Sequence, residues 1–257
     1  MSRPGKPEEI AVCAVPLADI ALGRALAALS GPELVRAGRI SSREYFAQHV
    51  KGRALLRWWL GQITGEPPKG FEIVEDGSGA PRLANNPWGI HFNLSHSRDW
   101  VLVALGRVPV GIDIECNEAE VDRHAIAGVC FHPSEQQYLA RLEGDAGREA
   151  FFDIWTRKEA YLKGIGIGLG TDPASFSTLT HDHLVAGGPG GTLSLDWYTR
   201  MIDAPHGYKA ALACHSPHAR ITYCQFAATQ GEIEPVHTTD AFRRYPRPGT
   251  VAPQRAA

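Results

Sequence analysis

Val110-Gly111-Ile112-Asp113-Ile114-Glu115, followed some forty residues later by Trp155-Thr156-Arg157-Lys158-Glu159-Ala160-Tyr161-Leu162-Lys163, decides how this chain reads. Side chains alternate between the faces of a β-strand, so Asp113 and Glu115 share one face while Ile112 and Ile114 share the other, the core face. Two carboxylates held that close raise each other's pKa, which is costly unless a hard cation or solvent separates them. In the second segment a helical period sets Glu159 one turn before Lys163, with Lys158 beside it. Mg²⁺ takes few carboxylates and fills its octahedron with water and phosphate oxygens. Asp113, Glu115 and Glu159 are therefore candidate metal ligands, and the adjoining lysines point to phosphate chemistry. Each motif alone also fits a wet strand face or an ordinary i, i+4 surface pair. The conjunction is far more specific.

Working outward, 257 residues suffice for one large domain or two small ones. A formal net charge of −2 argues against non-specific nucleic-acid binding. The start, Met1 to Glu9, has no apolar core of a signal peptide, and nowhere do eighteen apolar residues run together, so neither export nor a membrane span is expected. Five scattered cysteines without Cys-x-x-Cys fit reduced thiols in a cytosolic protein.

Periodicity places strands near 10–17, 71–75, 90–94, 100–105 and 108–115, the last two joined at Gly106-Arg107 as part of a β-meander, and further strands near 174–177, 193–199, 208–214 and 221–226. Helices are expected after Asp19 to residue 29, over 42–63 behind a Ser41-x-x-Glu44 capping box, over 132–142 and over 148–163. Gly164-Ile165-Gly166-Ile167-Gly168-Leu169-Gly170 lacks the spacing of G-x-G-x-x-G and ends a helix instead of opening one, so it is no dinucleotide loop. From Thr229 onward, Pro, Arg, Thr and Ala without apolar period predict a structureless tail. Lys51, Arg53 and Arg57 read as a solvated basic face of the 42–63 helix.

Together with Phe92-Asn93-Leu94-Ser95-His96-Ser97, the two opening blocks resemble the 4′-phosphopantetheinyl transferases of the Sfp type, in the subgroup marked by Trp and Lys-Glu-Ala, from about Ile10 to His215. The resemblance implies an α+β fold of two similar α/β halves about a pseudo-twofold axis, at 1–107 and 108–228, the second holding most of the metal site and followed by the 229–257 tail. Coenzyme A would lie in the cleft between them. The implied reaction moves the 4′-phosphopantetheine arm of coenzyme A onto a serine of an apo acyl or peptidyl carrier protein, with Mg²⁺ on Asp113, Glu115 and Glu159 and release of adenosine 3′,5′-bisphosphate. Glu159 and Lys163 are the implied catalytic residues. Arg36, His49, Ser95, His96, Lys158 and Lys163 are the implied coenzyme contacts. The family's Gly-Lys-Pro stands here as Gly79-Ala80-Pro81-Arg82, so a lysine contact to the 3′-phosphate is missing and Arg82 is the candidate substitute.

A monomer is expected, serving fatty-acid, polyketide or non-ribosomal peptide synthesis, without nucleic-acid or membrane partners. The acceptor surface is placed within 116–148, with Phe131, Tyr138 and Leu142 as apolar contacts and Arg123 and Arg141 facing an acidic carrier. Two other classes stay open: a Mg²⁺-dependent hydrolase of a pyrophosphate nucleotide, and a non-catalytic carrier-binding module. A serine hydrolase is disfavoured, because Asn93-Leu94-Ser95-His96-Ser97 lacks both glycines of G-x-S-x-G.

Overall fold

A computed structural model describes residues 8–75, 79–166, 171–179, 186–187, 196–224, 226–229 and 232–235. In chain order the strands are β1 (Glu9–Pro16), β2 (Ile73–Glu75), β3 (Pro81–Leu83), β4 (His91–Ser97), β5 (Trp100–Gly106), β6 (Val110–Cys116), β7 (Phe176–Ser177), β8 (Ala186–Gly187), β9 (Tyr198–Ile202), β10 (Tyr208–Cys214), β11 (Arg220–Cys224), β12 (Phe226–Thr229) and β13 (Glu232–Pro235). The helices are α1 (Leu22–Ala28), α2 (Gly31–Ala37), α3 (Arg43–Thr64), α4 (Arg123–Cys130), α5 (Pro133–Leu139) and α6 (Gly144–Ile165). The fold is mixed α/β.

Two sheets carry the site. One runs β11-β1-β5-β4 and the other β6-β10-β9. They meet face to face through Ile10, Val12, Leu102 and Ala104 on one side and Ile112, Ile114, Ala210 and Leu212 on the other. The outer face of the first sheet is covered by α3, whose Leu55, Leu56, Trp59 and Leu60 share a core with Val101, Val103 and Leu105. Across the molecule, α6 covers the second sheet through Ala160, Tyr161 and Leu162 against Ala211 and Ala213. Burying apolar area on both faces of each sheet is what holds this helix-sheet-sheet-helix stack together.

Several expectations are corrected. No meander forms, because both edges of β5 are taken by β1 and β4, leaving β6 to pair with β10 in the other sheet. The long helix is capped by Ser42, whose hydroxyl accepts from the Tyr45 amide, and not by the Ser41 box. Two short helices are not foreseen by periodicity: α2, opened by a capping box between Ser30 and Glu33, and α4, capped by Asp122. The structureless tail expected from Thr229 onward is also corrected in part, since β13 pairs antiparallel with β12. Residues 236–257 and the stretch 167–170 of the glycine run lie outside the described residues.

Candidate active site

β6 delivers the acids because its two faces have different neighbours. Ile112 and Ile114 enter the core between the sheets. Gly111, Asp113 and Glu115 face α6, and the residues opposite the first two on β10 are small, with Ala213 paired to Gly111 and Ala211 to Asp113, whereas Lys209 pairs with Glu115. A Cβ at Gly111 would fall inside the envelope of the Ala160 carbonyl oxygen and of Gly164. The missing side chain lets α6 lie directly on the strand, which brings Glu159 and Lys163 beside Asp113.

The centre is a closed hydrogen-bond triangle. Lys163 Nζ donates to Asp113 Oδ1 at 2.6 Å and to Ser95 Oγ at 2.8 Å, and the Ser95 hydroxyl donates to Asp113 Oδ1 at 2.8 Å. Asp113 is 2 % exposed, and its second oxygen, Oδ2, is buried with no hydrogen-bond partner. Glu115 accepts from Trp155 Nε1 at 3.1 Å and from the Ser97 hydroxyl at 3.1 Å. Ser97 in turn accepts from the Cys116 amide, which fixes its rotor.

The electrostatics follow from crowding like charges in a dry place. Burial, then repulsion from Asp113, pushes Glu115 up to about 7. The same two causes raise Glu159. Burial also raises Asp113, against the pull of Lys163. For Lys163, burial alone would lower the pKa, but attraction to Asp113, Glu159 and Glu115 outweighs it and the ammonium is retained above the ordinary value. Three carboxylates answered by one lysine leave a negative pocket. Among the described residues no group of three His, Cys, Asp or Glu side chains stands preassembled as a metal cage. The orphaned Asp113 Oδ2 and the raised carboxylates nevertheless fit a divalent cation better than an empty pocket, since a cation would satisfy the oxygen and relieve the repulsion.

β4 divides Ser95 from His96. Alternation turns Asn93, Ser95 and Ser97 towards β6, where Asn93 Oδ1 also accepts from the Ile112 amide, so three side chains join the edges of two sheets that share no backbone ladder. His96 turns the other way. It is held near pKa 4 by burial first and then by the charge of Lys163, and is neutral at pH 7. His49 Nε2, on α3, is buried without a partner, and burial followed by Arg53 lowers its pKa. A line of groups thus runs from Glu115 through Lys163, His96 and His49 towards Arg36.

Lys158 is not in that line. It is 0 % exposed and pairs with Glu135 at 2.8 Å, donates to the carbonyls of Pro173 and Phe176, and sits 4.2 Å from the centroid of the Phe176 ring. Its expected role as a coenzyme contact is withdrawn: adjacent helix positions differ by about 100°, so Glu159 faces the acids while Lys158 faces the core. The solvated basic face of α3 is likewise corrected, since Arg53 and Arg57 are buried and Lys51 donates to the Leu17 carbonyl. Phe131 is buried against Phe151 and offers no docking contact, whereas Tyr138 is 43 % exposed. Arg82 stands exposed on β3, opposite Val74.

With this geometry in hand, residues 109–213 match the family model described as the 4′-phosphopantetheinyl transferase superfamily. A 4′-phosphopantetheinyl transferase of Bacillus subtilis is 30 % identical over 197 residues, covering 76 % of this chain and 85 % of that protein. The chain belongs to the 4′-phosphopantetheinyl transferase superfamily. The transferase HetI of Nostoc sp. is 36 % identical over 146 residues and the transferase gsp of Aneurinibacillus migulanus 37 % over 118. Those matches span 62 % and 48 % of the relatives' own lengths. Within this family frame, Trp155, Ser97 and Asn93 stand in the motifs that carry the resemblance, but only the structure gives them roles, as donors to Glu115 and as a brace on the Ile112 amide. The signal in the sequence is position: Ser97 and Asn93 flank Ser95 at a spacing of two, and Trp155 lies one turn before Glu159.

Proposed function

We propose that the protein transfers the 4′-phosphopantetheine arm of coenzyme A to a serine hydroxyl of an apo acyl or peptidyl carrier protein, in the cytosol and as a monomer. The supporting observation is the Asp113-Lys163-Ser95 triangle with Asp113 Oδ2 left unpaired. Asp113, Glu115 and Glu159 would hold Mg²⁺, which when bound supplies charge neutralisation at the diphosphate. Residues 1–107 and 108–228 form two halves about a pseudo-twofold axis, a reading supported by one 22-residue helix over each sheet.

The serine oxygen attacks the phosphorus on the pantetheine side of the diphosphate. The bond from that phosphorus to the bridging oxygen breaks, and adenosine 3′,5′-bisphosphate leaves with the bond's electron pair. Glu159, with its pKa raised, is suited to take the serine proton. Lys163 places a fixed positive charge beside the same phosphates, where charge shifts during transfer. His49 and His96, kept neutral, serve as hydrogen-bonding groups to the coenzyme without adding charge, and Arg36 supplies charge at the far end. A groove of about 560 Å³ between α4, α5 and α6, lined by Arg123, His124, Leu139, Leu142 and Phe151, is suited to the carrier.

The test is intact-protein mass spectrometry of apo carrier domains incubated with the protein, coenzyme A and Mg²⁺. One phosphopantetheine per carrier is expected, and chelation should abolish it. Consumption of coenzyme A without any carrier would instead identify a pyrophosphate hydrolase, and binding without turnover a carrier- or coenzyme-binding module.

A further inference from the structure

The α3 flank holds a second charge cluster. His49, Arg53 and Arg57 recur every fourth residue on α3 and share one face. Opposite them stand Glu33 and Arg36 on α2 and Glu75 at the end of β2. Arg57 is fully buried and belongs to the fold, donating to Glu33 Oε2 at 2.7 Å and to the carbonyls of Pro68 and Phe71. Arg53 donates Nη2 to Glu75 Oε1 at 3.2 Å, and Arg36 meets the same oxygen. One carboxylate oxygen is therefore shared by two guanidiniums. The three arginines exceed the two glutamates by one charge.

Glu75 occupies the place an anionic ligand would take. A carboxylate oxygen between two arginines mimics a phosphate oxygen, and guanidinium forks bind phosphate with two hydrogen bonds each. The Glu75 and Arg36 side chains are 28 % and 44 % exposed, so both reach solvent, whereas Arg53 is fixed at 7 %. His49 Nε2, buried and unpartnered, lies on the same face one turn away. As an N–H donor this nitrogen can meet a phosphate oxygen.

We propose that Glu75 is an internal anion displaced by the phosphate monoester of the coenzyme, and that Arg53, with Arg36, sets the preference for coenzyme A over dephospho-coenzyme A. The inference rests on the transferase reading and adds residues to it: Ala80 stands where the family has lysine, and Arg53 supplies charge from another direction. A coenzyme without the monoester keeps only the charge of its diphosphate, which lies beside Lys163, and brings none to displace Glu75.

The experiment measures KM for coenzyme A and dephospho-coenzyme A in carrier loading, with wild type, Glu75→Gln and Arg53→Gln. Glu75→Gln should raise the ratio of KM for dephospho-coenzyme A to KM for coenzyme A by roughly three- to tenfold, and Arg53→Gln should lower it by about tenfold. An unchanged ratio in Glu75→Gln overturns the proposal, and that variant keeps a hydrogen-bond acceptor for Arg53 should Arg53→Gln fail to fold. If wild type transfers from neither coenzyme, the transferase reading fails separately. Calorimetry with adenosine 3′,5′-bisphosphate against adenosine 5′-phosphate then decides the Glu75 question: a stronger preference for the bisphosphate in Glu75→Gln upholds it, and an unchanged preference overturns it.

Discussion

Two lysines five residues apart on α6 have opposite fates, and the difference is one of environment. Lys163 ends in a partly open acid pocket, whereas Lys158 ends in the core against Glu135, whose other oxygen accepts from the Thr178 amide and hydroxyl. Removing one member of a buried pair leaves an uncompensated charge, so Lys158→Met should cost about 3–5 kcal/mol in urea unfolding. Adding Glu135→Gln should restore much of that loss. Lys163→Ala should instead remain folded and slow transfer by about a hundredfold in single-turnover loading. His96 gives a pH signature. Between its folded value near 4 and the ordinary 6.5, the unfolded chain binds the proton and the folded chain does not, so stability falls as pH drops through that window. Glu115, raised to about 7, works in the opposite sense, because its folded carboxyl keeps a proton that the unfolded one releases. Comparing His96→Gln with wild type isolates the histidine: the variant should lose less stability between pH 7 and 4, by up to roughly 3 kcal/mol at the acid end.

At the scale of elements, the contact of α6 with β6 turns on the absence of a side chain at Gly111. Gly111→Ala forces a methyl group into the backbone of α6 at Ala160 and Gly164. It should cost a few kcal/mol by chemical denaturation and reduce transfer more than tenfold, because Glu159 and Lys163 withdraw from Asp113. Gly128→Ala is the control. Nothing lies within 4 Å of the added methyl on α4, so stability should be unchanged or rise by about 0.5–1 kcal/mol. Elements were legible in the sequence where the period was strong, as for β1, α3, β10 and α6. They were missed where short segments depended on partners: α2 is held by its Ser30–Glu33 box and by the Glu33–Arg57 pair, and the three-turn pattern of a long helix was not there to announce it.

Across the whole molecule, the two sheets share one core, and β11, near the end of the described chain, lies parallel to β1 at its beginning. Neither sheet can lose its partner without exposing Ile10, Val12, Ile112 and Ile114. Thermal unfolding should therefore be a single transition, with tryptophan fluorescence and far-ultraviolet circular dichroism giving coincident midpoints. Two separated midpoints would show that the halves unfold independently. The sequence by itself determined the acids and their alternation on β6, the one-turn spacing of Glu159 and Lys163, and the family, because these depend on local period and on residue order. Only the tertiary structure decided that β6 leaves its hairpin neighbours, that Ser95 turns to Asp113 while His96 turns to α3, that Lys158 is buried, and that Arg53 shares Glu75 with Arg36. Each of those outcomes depends on which surface lies opposite a given face, and that is set by the packing of segments distant in the chain.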